Sequence, residues 1–289
     1  MNDDILMIMQ EQMPAFSKGQ RRIATYIMED YDKAAFMTAS KLGKTVGVSE
    51  STVVRFAMEL GYDGYPSMQK AMQEMVLNRL TSVQRIGITN NRIGDQDIVT
   101  TVLQADADKL RQTADTVSRG DFQKSVQAIL KAKHIYLLGV RSAAALANFA
   151  GYYLGYMFQN VHVITTSGCG EMFEKLVNVN RDDVVIAFSF PRYSTATLKG
   201  VQYCRNIGAT VIAITNSHLS PLAQNSDFVL VAKSDMVSFV DTLVAPLSVV
   251  NALLVALSSG REEALEKHFN TLERVWEEYN VYEKQVDKP

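Results

Sequence analysis

Between residues 135 and 232 five short, almost wholly apolar runs recur, and this repeat restricts the fold more than any other feature of the sequence. The runs are 135–139, 161–165, 183–189, 210–215 and 227–232, the last four rich in β-branched residues. Helical patterns near 142–158, 170–178, 194–207 and 219–225 lie between them. A strand that is apolar on both sides has to be covered on both faces, and parallel strands need a crossover, usually a helix. The alternation therefore predicts a doubly wound parallel sheet in an α/β domain. Helices are expected at 98–118 and 121–132 before the sheet, and at 242–258 and 261–279 after it. In the last of these Leu265, Phe269, Leu272 and Trp276 form a stripe that reads as a packing face.

Before residue 80 the apolar period is helical. Ala39, Leu42, Gly43 and Val46 recur at i, i+3, i+4, i+7, and Val53, Phe56, Ala57 and Leu60 repeat that spacing. Between the two helices Gly47 stands where a helix end needs a positive φ, and Ser49 where a hydroxyl can cap the next helix. The second helix keeps Glu50, Ser51, Thr52, Arg55 and Glu59 on its other face. A helix, a tight turn and a helix polar at its start form the pattern of a helix-turn-helix DNA reader. Arg55 is its best candidate for base contact, because a guanidinium can bond guanine O6 and N7 together. Ser17 to Gln20 has the form of a capping box opening a supporting helix. A further helix is expected from 68 to 80, with Met68, Met72, Met75 and Val76 in the core or at a dimer contact.

Val48-Ser49 through Arg55-Phe56, then Leu60-Gly61-Tyr62 and Gly64-Tyr65, resembles the N-terminal domain of the MurR/RpiR-type transcriptional regulators. The expected DNA contacts, from the polar face of the second helix and the nearby cations, are Lys41, Lys44, Ser49, Glu50, Ser51, Thr52 and Arg55. Charge is neutral on the point. The whole chain carries −2, and residues 17–79 hold nine basic against seven acidic side chains. Specific binding would depend on a few placed cations, Lys18, Arg21, Arg22, Lys41, Lys44 and Arg55, and on doubling of the site in a dimer.

In an open parallel sheet, ligands collect beyond the carboxyl ends of the strands, near helix N-termini. Three loops qualify. Gly139-Val140-Arg141-Ser142 leaves the first strand, with the glycine expected to allow a tight turn and Ser142 to open a helix. Ser189 to Thr195 leaves the third, with hydroxyls beside Arg192, and Thr215 to His218 leaves the fourth. Each serine can equally be a plain helix cap; two such loops on one sheet favour a shared anion.

With the flanking runs AITNS and SPLAQNSDFVL, residues from about 120 to 258 resemble a SIS (sugar isomerase) domain, a phosphosugar-binding fold. That resemblance implies Ser142, Ser189 and Ser194 as phosphosugar contacts. Gly139, Arg141, Arg192 and Thr195 complete the expected effector site. The chain departs from the Ser-Gln-Ser-Gly-x-Thr pattern of sugar-isomerising members, with Pro191 at the second serine, Arg192 at the glycine and Ser194 at the threonine. It loses a hydroxyl and gains a cation, which suggests an extra acidic group on the ligand, as in a sugar-acid phosphate.

Isomerisation would need a base near the sugar C–H. Only His218 and Glu171 lie near strand ends, and the 242–258 helix has no Glu, His or Lys. No catalytic residue, cofactor or metal set is expected. Cys169 and Cys204 have no ligand spacing and are expected to be buried thiols in a reducing compartment. No run approaches the ~18 apolar residues that span a membrane, and no signal pattern is seen, so a cytoplasmic protein is expected.

The expected chain is thus multidomain. An all-α helix-turn-helix domain (1–77) is followed by a linker (78–97) and an α/β SIS-type domain (98–289). Its expected function is transcriptional regulation of sugar or sugar-acid metabolism. Operator DNA and a phosphorylated sugar or sugar acid are the expected partners, in a homodimer or homotetramer with no membrane association. The alternatives are a phosphosugar isomerase and a sugar-phosphate sensor that acts on a protein.

Overall fold

The computed structural model describes residues 5–79, 97–234 and 240–282. They fall into two compact units, 5–79 in the first and 97–282 in the second. Most of the expected linker, 78–97, lies outside the described residues.

The first unit is helical throughout: α1 (Ile5–Gln12), α2 (Lys18–Glu29), α3 (Tyr31–Ala34), α4 (Ala39–Val46), α5 (Glu50–Glu59) and α6 (Tyr65–Arg79). The capping box opens α2. The Ser17 hydroxyl accepts the Gln20 N–H at 3.4 Å, and the Gln20 side chain accepts the Ser17 N–H at 2.8 Å. Ile23, Ile27, Leu42, Val53, Phe56, Met68 and Met72 are fully buried in one core, each contributing about 1.5–3 kcal/mol by burial. Phe16 meets Phe56 edge to face, with centroids 5.2 Å apart. The α6 helix starts three residues earlier than its apolar stripe suggested. Pro66 stands in its first turn, where a missing N–H removes no helical bond. Tyr65 and Gln69 of α6 both donate to the Met37 carbonyl at 2.7 Å, and Gln73 donates to Ala35 O at 3.0 Å. The chain between α3 and α4 is thereby fastened to α6.

The second unit begins with α7 (Ile98–Thr116) and α8 (Arg119–Lys131). Then follow β1 (Ile135–Gly139), α9 (Ala144–Met157), β2 (Val161–Ile164), α10 (Cys169–Leu176), β3 (Val184–Phe188), α11 (Thr195–Ile207), β4 (Thr210–Thr215), β5 (Phe228–Val231), α12 (Val244–Ser258) and α13 (Glu262–Glu278). All neighbouring strands are parallel, in the order β2-β1-β3-β4-β5. Strand side chains alternate between faces, and the two cores follow that alternation. Ile135, Leu137, Ile186 and Ile214 pack beneath α8, α9 and α12. Tyr136, Leu138, Val185 and Ala213 pack beneath α10 and α11. The structure is thus the doubly wound three-layer arrangement.

Three local expectations change. The segment near 219–225 holds only a 3-10 turn, Ala223–Asn225, because Ser220 turns inward and its hydroxyl meets both Thr215 and the Ala223 N–H at 3.1 Å. Cys204 is buried, but Cys169 is exposed, since it is the first residue of α10 at the rim of the sheet. The stripe of α13 is only half covered. Leu265, Leu272 and Trp276 are partly exposed and Phe269 is exposed, touching Tyr156 of α9 at 5.2 Å.

Candidate functional site

In the first unit α4 and α5 meet at a sharp turn that two glycines make possible. Gly47 has φ 69° and ψ 46°, the left-handed region. Gly43 lies so close to the turn that a Cβ there would be 2.8 Å from the Val48 carbonyl oxygen. Thr38 caps α4 by accepting the Lys41 N–H, and Ser49 caps α5 by accepting the Thr52 N–H, both at 3.2 Å. Arg22 of α2 donates to Gly47 O at 3.1 Å and braces the turn from behind.

The seven expected DNA-contact residues come together on these two helices. Lys41, Lys44, Ser49, Glu50, Ser51 and Arg55 are exposed and Thr52 is half-buried. Their conditions differ. The Ser49 hydroxyl is engaged in the cap and in contacts with Ser51 and Thr52 at 2.9 and 2.8 Å. Arg55 donates Nε to Ser51 O at 3.3 Å, which steadies the stem of its guanidinium. Two of the other expected cations have structural partners: Arg21 donates to Pro14 O at 2.9 Å, as Arg22 does to Gly47 O. Gln20 donates to the Glu59 carboxylate and joins α2 to the far end of α5. No periodicity marks these cross-helix braces.

In the second unit the strand order reverses between β1 and β3, and this reversal positions the other candidate site. β1 is followed by α9 on one face of the sheet, and β3 by α11 on the opposite face. The two strands are paired, with Gly139 beside Phe188, so the diverging helices leave a crevice beyond their carboxyl ends. Gly139 allows the chain to turn back closely, as expected, though without a positive φ. It is required because a Cβ would lie 2.7 Å from Ala143 O. Ser142 does not cap α9 either. It lies within a 3-10 turn, Arg141–Ala143, and the helix starts without a side-chain cap. Its exposed hydroxyl is therefore not committed to a cap.

On the β3 side, Ser189 is buried and its N–H donates to Ile214 O at 3.4 Å. Ser194 does cap its helix, accepting the Thr197 N–H at 3.4 Å, and Thr195 is exposed as the first residue of α11. Tyr193 donates to the Asn216 side chain at 2.7 Å and ties this loop to the end of β4. Arg141 and Arg192 have φ of 58° and 68°. Such a conformation costs a side chain about 1–2 kcal/mol that glycine avoids, and strain of this kind clusters at functional sites. For Arg192 the sequence carries one mark, its place at the glycine of the Ser-Gln-Ser-Gly-x-Thr pattern; for Arg141 it carries none.

Glu171, at the start of α10, accepts from the Thr166 hydroxyl at 2.6 Å and pairs with Lys175 at 3.0 Å. These two partners hold its carboxyl below the usual range. His218 is exposed at the end of β4. Among the described residues no three His, Cys, Asp or Glu side chains converge as a metal site, and no helix is long and apolar enough to cross a membrane.

Residues 3–78 match the family model of the helix-turn-helix domain, rpiR family, and residues 128–256 match that of the SIS domain. The chain belongs to the RpiR-type transcriptional regulators. Similar proteins include two HTH-type transcriptional regulators. One, from Haemophilus influenzae, is 25% identical over 257 residues, covering 86% of this chain and 88% of that protein. The other, from Caldanaerobacter subterraneus, is 24% identical over 269 residues, covering 88% and 90%. Among solved structures, the sugar isomerase domain of an RpiR transcription factor from Sphaerobacter thermophilus is 28% identical with a TM-score of 0.59, covering 62% of this chain and 99% of that one. The Vibrio vulnificus NanR protein complexed with ManNAc-6P shares the fold of this RpiR-type regulator at 21% identity and a TM-score of 0.60, covering 97% of this chain and all of that one.

Proposed function

We propose that this regulator binds a two-fold-symmetric operator as a homodimer or homotetramer in the cytoplasm, and that a phosphosugar in the sheet crevice changes its operator affinity. In this reading residues 1–77 read DNA, 78–97 link, and 98–289 sense. Arg55, Ser51, Thr52 and Glu50 face the bases, Lys41 and Lys44 face phosphates, and Ser49 caps the reading helix. Gly139, Arg141, Ser142, Ser189, Arg192, Ser194 and Thr195 form the effector site. The observation that carries the reading is the topology. The strand order reverses between β1 and β3, where one loop carries Arg141 and Ser142 in a 3-10 turn before α9 and the other carries Arg192 and Ser194 at the start of α11, an arrangement suited to an anion. The phosphosugar named in the NanR complex lends support.

We take the crevice to be a sensing site that performs no isomerisation and calls for no cofactor. Glu171 is a poor base while Thr166 and Lys175 hold it ionised, and α12 carries no acid or base in its whole length.

The test is selection of bound duplexes from a random pool, followed by operator titration with and without a panel of phosphosugars. Coupling of about 1–3 kcal/mol, or roughly 5–150-fold, is typical. Linkage requires the operator to change the effector's affinity by the same factor. Equal effector affinity with and without operator would refute the mechanism, and no enriched motif would refute the DNA-binding role.

A further inference from the structure

We infer that Met58 is a specificity residue of the DNA reader: its side chain lies against the 5-methyl group of a thymine in the major groove, within two base pairs of the base that Arg55 contacts. This rests on the DNA-reading role proposed above for α5 and adds to it a residue outside the polar set.

Among the described residues of the first unit only two large apolar side chains are exposed, Phe36 and Met58, and Met58 is the more open at 58%. It stands on the side of α5 opposite the core. The helix buries Val53, Phe56 and Ala57. Ser51, Arg55 and Met58, at i, i+4 and i+7, share one ridge on the other side, and all three are exposed. The neighbours of Met58 fix that ridge. Arg55 Nε bonds back to Ser51 O at 3.3 Å, and Gln20 draws the adjoining Glu59 towards α2. A single exposed apolar side chain is ordinary on most surfaces. This one is set in line with the serine and the arginine of a helix-turn-helix reader, where it meets base edges.

The chemistry of the groove then limits what Met58 can recognise. Base pairs present donors and acceptors there and one apolar group, the thymine 5-methyl. Against any other edge an apolar side chain displaces water from polar atoms and returns no hydrogen bond. Against the methyl it buries apolar surface, and the unbranched, polarizable thioether adapts to the methyl's position. Three residues of helix advance about 4.5 Å, against roughly 3.4 Å for one base step. The thymine is therefore next to the base read by Arg55 or one beyond it.

The experiment uses the full chain and the duplex it enriches from a random pool. Each thymine in turn is replaced by deoxyuridine, which lacks only the 5-methyl group. Fluorescence anisotropy gives the affinity of wild type, Met58→Ala and Met58→Leu. Alanine and leucine are strong helix formers and the position is exposed, so both variants should fold, which circular dichroism checks. At one thymine per half-site, deoxyuridine should weaken wild type about fourfold, leave Met58→Ala unchanged and weaken Met58→Leu by an intermediate factor. Deoxyuridine tolerated at every thymine, or the same penalties in wild type and Met58→Ala, would overturn the inference while leaving the DNA-reading role intact. No enriched duplex would overturn both.

Discussion

Replacing Gly43 by alanine tests whether the reader depends on backbone contact at its turn. Alanine in a helix interior is worth about 0.8–1 kcal/mol over glycine, so propensity alone predicts stabilisation. Against this, the new Cβ would stand 2.8 Å from Val48 O and 3.4 Å from both Glu50 N and Ser49 C. All three are backbone atoms. The turn they belong to is pinned by the Val48 N–H bond to Gly43 O at 2.9 Å, the Ser49 cap and the Arg22 brace. Overpacking of this kind costs about 1–3 kcal/mol, so the clash exceeds the propensity gain and the net loss should be about 1–2 kcal/mol. At roughly 4–8 °C per kcal/mol for a unit of this size, the melting point of the first unit should fall by about 5–15 °C. Gly19→Ala is the control. A Cβ there meets only side chains, at 3.5 and 3.6 Å, and the change should be neutral or stabilising. The only tryptophan, Trp276, belongs to the second unit. Far-ultraviolet circular dichroism should therefore register the Gly43→Ala shift while the tryptophan fluorescence transition stays in place. A Gly43→Ala protein as stable as wild type, tracking Gly19→Ala, would refute the argument.

Arg55→Ala should weaken binding to a selected operator by about 1–3 kcal/mol per half-site and leave random DNA less affected; fluorescence anisotropy decides, and an equal loss on both would make Arg55 a phosphate contact. Tyr65→Phe should cost only about 1 kcal/mol, because the Met37 carbonyl keeps its bond from Gln69. Burial pushes the Tyr65 hydroxyl up to about 12. A raised folded value means stability fully present below pH 10 and lost as pH rises towards 12, so the wild type should lose more than the variant over that interval in alkaline melts. His162 is depressed by burial and by His134, 3.2 Å away, with Asp183 opposing and Tyr136 stacked on its ring. The unfolded chain then takes up the proton first, so stability should fall as pH drops through 6.5. Melts from pH 7.5 to 5.5 should show a smaller loss in His162→Gln; identical slopes would exclude the pair as a proton-linked contact.

What the sequence disclosed follows the range of the forces involved. The strands were legible because burial on both faces leaves apolar runs that need no partner to be recognised, and Gly47 and Ser49 because a single residue's conformational or hydrogen-bonding preference decides each position. Gly43 was legible only as a small member of an apolar face. Its reason, the approach of Val48 O, exists only once two helices are folded together. The same holds for Gly139, whose lack of a Cβ admits the Ala143 carbonyl, and for the braces Arg22 to Gly47 and Gln20 to Glu59, which join segments far apart in the chain.

The neighbouring positions of the two loops depend on strand order, which periodicity does not encode; β1 and β3 are paired, so both loops leave the same edge of the sheet. The left-handed backbone of Arg141 lies furthest from the sequence, whereas that of Arg192 is hinted at by the glycine that the resembled pattern has at its position. Arginine carries no preference for that region, and only the surrounding fold imposes it. Local preference and observed conformation therefore conflict at the two cations that flank the crevice. Conflicts of this kind cluster at functional sites, which makes these two positions candidates for one.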